Sequence, residues 1–291
     1  MSASSPYAIE LPPLAPAEPW LGWRNLLALP PGKRPDFARW PTRWEEAELG
    51  LTKAEANARM EALTKEIAAQ QRLLHAQKEH RVLFVFQGMD TSGKGGSIRH
   101  TFRLSDPVGV HVAAFQAPTK TELQHDYLWR IHNHIPAVGE VGLFDRSHYE
   151  DIVTVRVNRL RPESIWSRRY DHVNGFEQML ADEGVTIRKF FLHLGKDEQK
   201  ERIRDRLSRP DKYWKFDESD LVARERWEEY MEAYADVLER CNSADAPWFI
   251  IPADRKWMRN LLVAEIVVQT FRELKLEYPE PAFDPEQVTI P

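Results

Sequence analysis

The chain has a single cysteine, Cys241, in 291 residues. That excludes an internal disulfide and any zinc site built from cysteines. Long hydrophobic runs are also missing. Stretches such as Val82–Phe86 and Phe249–Ile251 fall far short of the roughly 20 apolar residues that span a bilayer. The N-terminus has no basic region followed by an apolar stretch, so no secretory signal is read there. These absences point to the cytoplasm and away from a membrane. Positive charge is not in excess either. Lys and Arg number 40 against 45 Asp and Glu, a net charge of −5, so the chain lacks the global basic field of a nucleic-acid binder. An anionic ligand would have to be held by local basic clusters. There is no internal repeat and no low-complexity tract.

The apolar share of 42% is enough for one sizeable α/β core with elaborations. Residues 1–50 read as a proline-rich arm laid over the surface, with Pro12, Pro13, Pro16, Pro19, Pro30, Pro31, Pro35 and Pro41. Trp20, Trp23 and Trp40 in the same stretch argue against pure disorder. Residues 51–278 read as the main domain and 279–291 as a tail. Leu, Ala, Met and Ile at helical spacing over 52–79 predict a long amphipathic helix that covers a sheet edge or an oligomer partner.

From residue 81 short apolar runs alternate with helical patterns. Strands are expected at Val82–Phe86, Val110–Phe115, Val141–Phe144, Ile187–Leu194 and Trp248–Ile251. Helices are expected over Gly93–Phe102, Thr119–Ile135, 148–158, 162–182, 196–208, 217–240 and 255–274. This alternation indicates a parallel sheet covered by helices on both faces. Ligands of such a sheet bind beyond the carboxyl ends of its strands.

The first strand runs into Gly88-Met89-Asp90-Thr91-Ser92-Gly93-Lys94-Gly95-Gly96. Gly88, four residues, Gly93 and Lys94 match the G-x-x-x-x-G-K part of a phosphate-binding loop. In such a loop, backbone N–H groups converge on one anion and the next helix adds its positive end. The pattern expects Ser or Thr at position 95 for a metal ion, but the residue is Gly95, and an acidic residue, Asp90, sits within the loop. Asp145 closes the third strand, where a carboxylate can hold Mg²⁺; the competing role for it is an N-cap of the helix near His148. Asp90 and Asp145 are the candidate metal ligands, suited to a hard cation such as Mg²⁺ or Mn²⁺. Arg146 follows with a fork-shaped donor for phosphate.

Segment 196–215 is dense in base, including Arg202, Arg206, Lys212 and Lys215. Arg202 and Arg206 share one helix face, and Pro210 ends that helix. Trp214-Lys215-Phe216 could anchor a mobile flap. Spacing alone leaves a lid over phosphates and a solvated helix face as equal readings. His100, His111, His125, His132 and His134 show no ligand geometry, and Trp227, Tyr230 and Tyr234 read as a core stripe. Glu150 and Asp151 either face an acceptor pocket or begin a helix.

Together three segments resemble the polyphosphate kinase 2 family: residues 88–96, Phe-Asp-Arg-Ser-His-Tyr-Glu-Asp at 144–151, and Arg-Leu-Ser-Arg-Pro-Asp-Lys-Tyr-Trp-Lys-Phe at 206–216. The resemblance covers roughly residues 50–275. It implies a three-layer P-loop kinase fold with a helical lid at about 200–220. It implies Mg-dependent phosphoryl transfer between inorganic polyphosphate and a nucleotide (AMP, ADP, ATP). It also implies a homo-oligomer, a dimer or tetramer. Carried over by motif, Asp90 and Lys94 act on metal and phosphates, Asp145 and Arg146 match the Walker-B pair, and Arg202, Arg206, Lys212 and Lys215 match the lid. The Ser-His-Tyr-Glu-Asp wording is similar to the subgroup acting on both nucleoside mono- and diphosphates. Glu150 and Asp151 are the candidates for the nucleotide. The alternatives are an ATP-dependent nucleoside monophosphate kinase, opposed by Gly95 and Asp90, and a non-catalytic binding module, opposed by Lys94, Asp145 and the lid bases together.

Overall fold

Why Val82–Phe86 forms the central strand is visible in where its side chains go. Val82, Phe84 and Phe86 enter the core on one face, and Leu83 and Val85 enter the core on the other. A run apolar at every position suits a strand buried on both sides. The structure, a computed structural model, describes residues 24–38 and 40–290. Its strands are β1 (Arg81–Gln87), β2 (Val110–Ala114), β3 (Val141–Asp145), β4 (Val185–His193) and β5 (Trp248–Pro252). They form one parallel sheet in the order β2-β3-β1-β4-β5. The winding reverses at β1, between β3 and β4, which is where α/β sheets hold ligands. Register completes the placement: Phe86 lies opposite Asp145 on β3, and Gln87 opposite Phe191 on β4.

The longer helices are α1 (Lys53–Gln77), α2 (Lys94–Thr101), α3 (Glu150–Val157), α4 (Arg169–Asp182), α5 (Lys196–Leu207), α6 (Ser219–Glu225), α7 (Trp227–Arg240) and α8 (Lys256–Leu274). α1, α2 and α8 cover one face, and α3, α4 and α7 the other, giving three layers. α1 starts from a capping box in which the Thr52 side chain and Glu55 exchange hydrogen bonds. The helix does not cover a sheet edge along its length. It lies along α8, joined by Arg59–Glu265 and Arg272–Glu66 ion pairs, and sends Leu63, Ile67 and Leu74 into the core. Only its C-terminal part meets the edge, where the Gln71 amide donates to Val108 O at 2.9 Å and accepts from Asp106 N at 3.1 Å.

Three expected helices are interrupted. Over 119–135 there is only a 3₁₀ turn, Glu122–Gln124, and one helical turn, Trp129–His132. The Asp126 carboxylate takes the N–H groups of Leu128 and Trp129, which diverts the backbone from helical bonding. The 162–182 segment breaks between Trp166 and Arg169, and the 217–240 segment breaks at Arg226, into α6 and α7. Pro12, Pro13, Pro16, Pro19, Trp20 and Trp23 lie outside the described residues. The rest of the arm is pinned down: Ala28 bridges antiparallel to Phe249 at the β5 edge, Arg34 pairs with Asp236 and Glu239 on α7, and Phe37 stacks on His193. Among the described residues, no helix is long and apolar enough to cross a membrane.

Candidate active site

The loop after β1 holds its shape through arginines that come from behind. Gly93 has φ +101°, a conformation that L side chains rarely adopt, and a Cβ there would fall 1.8 Å from Arg259 Nη1. Glycine is therefore required twice at this position. Arg259, on α8, donates to Ser92 O at 2.8 Å. Arg202, on α5, donates to Thr91 O, Ser92 O, Ala253 O and Asp254 O. Burial, reinforced by Arg202 nearby, pushes the Arg259 guanidinium down to about 9. With its carbonyls held from behind, the loop leaves the buried Oγ atoms of Thr91 and Ser92 with no hydrogen-bond partner among the described residues. Orphaned buried hydroxyls call for an explanation, and a phosphate oxygen supplies one. Lys94 opens α2 with its ammonium donating to Gly88 O at 2.8 Å and Met89 O at 3.3 Å, 3.8 Å from Asp90 Oδ1.

Asp145 is not a helix cap. The next helix begins at Glu150, with Tyr149 as its N-cap residue. Asp145 ends β3, and among the described residues its carboxylate has no hydrogen-bond or ion-pair partner. Its Oδ2 lies 2.8 Å from where a Cβ on Gly95 would stand. The absent Ser or Thr thus has a steric cause: the space that such a side chain would fill is the space in front of the Asp145 carboxylate. Asp90 is already engaged. Arg146 Nη2 donates to its Oδ1 at 2.5 Å. Burial alone would raise the Asp90 carboxyl, but Lys94 and Arg146 hold it below the usual carboxylate range. Arg146 adopts φ +64°, a left-handed conformation for a non-glycine residue of the kind that surrounding structure must hold in place. Among the described residues, no group of three or more His, Cys, Asp or Glu could bind a metal unaided. Asp145 and Asp90 could hold one only with ligand oxygens and water completing its shell.

Two cavities open around this centre. The first, of about 610 Å³, is lined by Thr91, Gly93 and Gly96 of the loop. Arg99 of α2, Arg103 in the turn that follows it, Arg202 and Arg206 of α5, Lys212, Lys215, Lys256 and Arg259 complete eight cations there, against Glu61 and Asp205. The second, of about 650 Å³, is lined by Gly88, Met89 and Asp90 on the other flank of the loop, with Arg146, Glu150 and Asp151. Its charges nearly balance, with Arg130, Arg146, Arg161 and Arg169 against five carboxylates. Exposed Leu123, Leu160 and Val222 line its walls, and Tyr230 and Tyr234 reach it from the buried stripe on α7.

The structure separates the two arginines expected together in a lid. Arg206 borders the basic cavity, paired with Asp220 at 2.9 Å. Arg202 is only 6% exposed, and its guanidinium is spent on backbone carbonyls, so it clamps the loop instead of covering it. Lys212 and Lys215 lie in a 3₁₀ segment, Pro210–Lys215, at the rim of the same cavity. The Trp214 beside them is 78% exposed, and its contacts stay within the segment: its indole N–H donates to Asp211 O at 3.0 Å and the Lys215 ammonium lies over its ring. Asp151 faces the second cavity, but its carboxylate is taken by Arg130 at 3.1 Å and Arg169 at 3.6 Å. Burial raises the Asp151 carboxyl despite these partners. Glu150 lines the cavity and accepts a hydrogen bond from Thr154 at 2.7 Å. Sequence reasoning missed Arg259, Lys256, Arg130 and Arg169. The one signal for Arg259 was a charged residue in the run Trp257–Val268, whose only other polar residues are Asn260 and Glu265.

Comparison with known proteins places this geometry. The family described as polyphosphate kinase 2 matches residues 50–279. A protein of Meiothermus ruber named AMP/ADP-polyphosphate phosphotransferase is 47% identical over 228 residues, 78% of this chain and 85% of the relative. The ADP-polyphosphate phosphotransferase of Rhodopseudomonas palustris is 38% identical over 261 residues, 86% of this chain and 90% of the relative. The crystal structure of polyphosphate kinase 2 from Arthrobacter aurescens superposes with a TM-score of 0.85 at 37% identity, covering 91% of this chain and 94% of that one.

Proposed function

The chain belongs to the polyphosphate kinase 2 family, and from that premise we propose that it moves a phosphoryl group between inorganic polyphosphate and nucleoside mono- and diphosphates, AMP to ADP and ADP to ATP. The observation that carries the reading is the charge contrast of two cavities sharing one phosphate loop. A polymer made only of phosphates is suited by eight cations and needs no base pocket. A nucleotide needs charge at one end and apolar contact at the other, and the second cavity offers arginines near the loop and exposed leucine and valine on its walls. Polyphosphate accordingly lies under Arg206, Lys212 and Lys215, and the nucleotide lies against Arg146, Glu150 and the Asp151-held arginines.

In the transfer, a terminal phosphate oxygen of the nucleotide attacks the terminal phosphorus of polyphosphate. The bond from that phosphorus to the bridging oxygen breaks, and the polymer leaves one unit shorter. No covalent catalyst is required; the protein brings two anions together and neutralises them. Each pair of unit charges at 4 Å costs about 4 kcal/mol at an effective dielectric near 20. Lys94, Arg146 and Arg206 supply the opposing charge, and the Asp145 and Asp90 carboxylates would hold Mg²⁺ (or Mn²⁺). When bound, that ion would add to the neutralisation of phosphate charge.

The test is direct. Purified protein with Mg²⁺ and AMP or ADP should form ADP or ATP only when polyphosphate is present. Formation of neither product, or equal formation with ATP as the sole donor, would overturn the assignment.

A further inference from the structure

Beneath the Asp145-Arg146 turn lies a charged cluster that borders neither cavity. Lys189 stands in the middle of β4, fully buried, on the face that otherwise carries Val185, Ile187 and Phe191. Its ammonium donates to Glu177 Oε2 at 2.5 Å, to Tyr149 Oη at 2.8 Å and to Cys241 O at 2.7 Å, so all three of its donors are used. Glu177, on α4 and 4% exposed, accepts at Oε1 from the Tyr149 hydroxyl at 2.8 Å and from His148 Nε2 at 3.2 Å. Burial would raise the Glu177 carboxyl, but Lys189 and His148 hold it below the usual range, so the pair is ionic.

Two of the groups on Glu177 come from His148 and Tyr149, which follow Arg146 by two and three residues. Arg146 is held in the left-handed region by few bonds of its own: its N–H donates to Phe86 O at 3.0 Å, and the neighbouring Ser147 hydroxyl accepts from Gln87 at 3.2 Å and from the Tyr149 N–H at 3.2 Å. A buried ion pair adds little to stability compared with apolar side chains of similar size. Its geometric effect here is to fix the far side of a strained turn to a central strand.

We infer that Glu177 and Lys189 are positioning residues: their buried pair, acting through His148 and Tyr149, holds the backbone that aims the Arg146 guanidinium into the nucleotide cavity. This rests on the role given above to Arg146 and adds two residues that touch neither substrate. The side chains of Gln87 and Ser147 tie the turn to β1, whereas the Glu177–Lys189 pair ties it to β4.

The experiment is a double-mutant cycle in the full chain, with Mg²⁺, ADP and polyphosphate, run well below the melting point of every variant. Arg146→Gln alone should lower kcat about a hundredfold. Glu177→Gln with Lys189→Met should lower kcat at least about tenfold, with the KM for polyphosphate within about twofold of wild type and the melting temperature within a few degrees. Adding Arg146→Gln to that pair should then cost less than about a further tenfold. Multiplicative losses, or a kcat for the paired variant within twofold of wild type, would overturn the inference. If the pair does not fold, Tyr149→Phe, which removes one oxygen and keeps the ring, enters the same cycle. ADP affinity by calorimetry, cycled identically, decides the matter without turnover. A wild-type protein that turns nothing over overturns the family activity instead, so the two failures are distinguishable.

Discussion

At the scale of single residues, Gly95 is the most informative position. The sequence marks it as a departure from the phosphate-loop pattern, and the structure adds a cause in the Asp145 carboxylate that faces it. Gly95→Ala separates stability from function. Position 95 is the second residue of α2, so replacing glycine with alanine there should leave stability unchanged or raise it by up to about 1 kcal/mol. The new Cβ would meet Asp145 Oδ2 at 2.8 Å and force the carboxylate aside. The expected outcome is an unchanged or higher melting temperature, a kcat at least about tenfold lower, and a raised Mg²⁺ requirement. Normal turnover with an unshifted Mg²⁺ titration would remove Asp145 as a metal ligand. Residues adjacent in sequence were legible in this way: Asp90, Lys94, Asp145 and Arg146 fall together around one centre. Arg259 was not, because its meaning lies in a guanidinium seated on Gly93, 166 residues away in the chain.

At the scale of elements, all five strands were legible as short runs rich in apolar residues; β1 and β5 alternate between two cores, whereas the edge strand β2 is largely exposed and β4 includes Arg188 and Lys189. The helices were less so where polar side chains compete for the backbone, as Asp126 does within 119–135. α5 shows the same limit inside one helix. Spacing puts Arg202 and Arg206 on a common face, yet burial gives them different work, since the buried Arg202 guanidinium is bound to backbone carbonyls and Arg206 pairs with Asp220 at the cavity. Arg202→Gln distinguishes a clamp from a lid residue. A clamp ties α5 to the phosphate loop and to the β5–α8 connection without any ligand. Its loss leaves buried carbonyls unpaired and should cost about 2–4 kcal/mol, which in a domain of this size lowers the melting temperature by about 5–10 °C. Arg202→Lys should restore little, because an ammonium cannot span carbonyls from two segments as the guanidinium fork does. A ligand-free melting temperature equal to wild type, combined with a large loss of kcat, would return Arg202 to the lid.

At the scale of the whole molecule, a protein of net charge −5 gathers eight cations around one cavity and leaves its neighbour nearly balanced. Composition could not show this, because charge separation of this kind depends on which helices the sheet topology brings side by side. Arg99 comes from α2, Arg103 from the turn after it and Lys256 from α8, none of them from the segment that sequence alone marked as basic. If polyphosphate occupies that cavity, its binding must depend on salt, since partly exposed charges are screened over about 8–10 Å at ordinary ionic strength. Arg99 and Lys256 are both exposed and lie outside the loop and the lid; partial desolvation and then Arg202 lower the Lys256 ammonium. Arg99→Gln with Lys256→Gln should therefore raise the KM for polyphosphate about tenfold at low salt and flatten its rise with added KCl. The KM for ADP should stay within about twofold, because its cavity lies on the opposite flank of the loop. An equal rise in both constants would mean that the cavities are not assigned to separate substrates. A rise confined to ADP would exchange the two, placing the nucleotide among the cations and the polymer against the leucines.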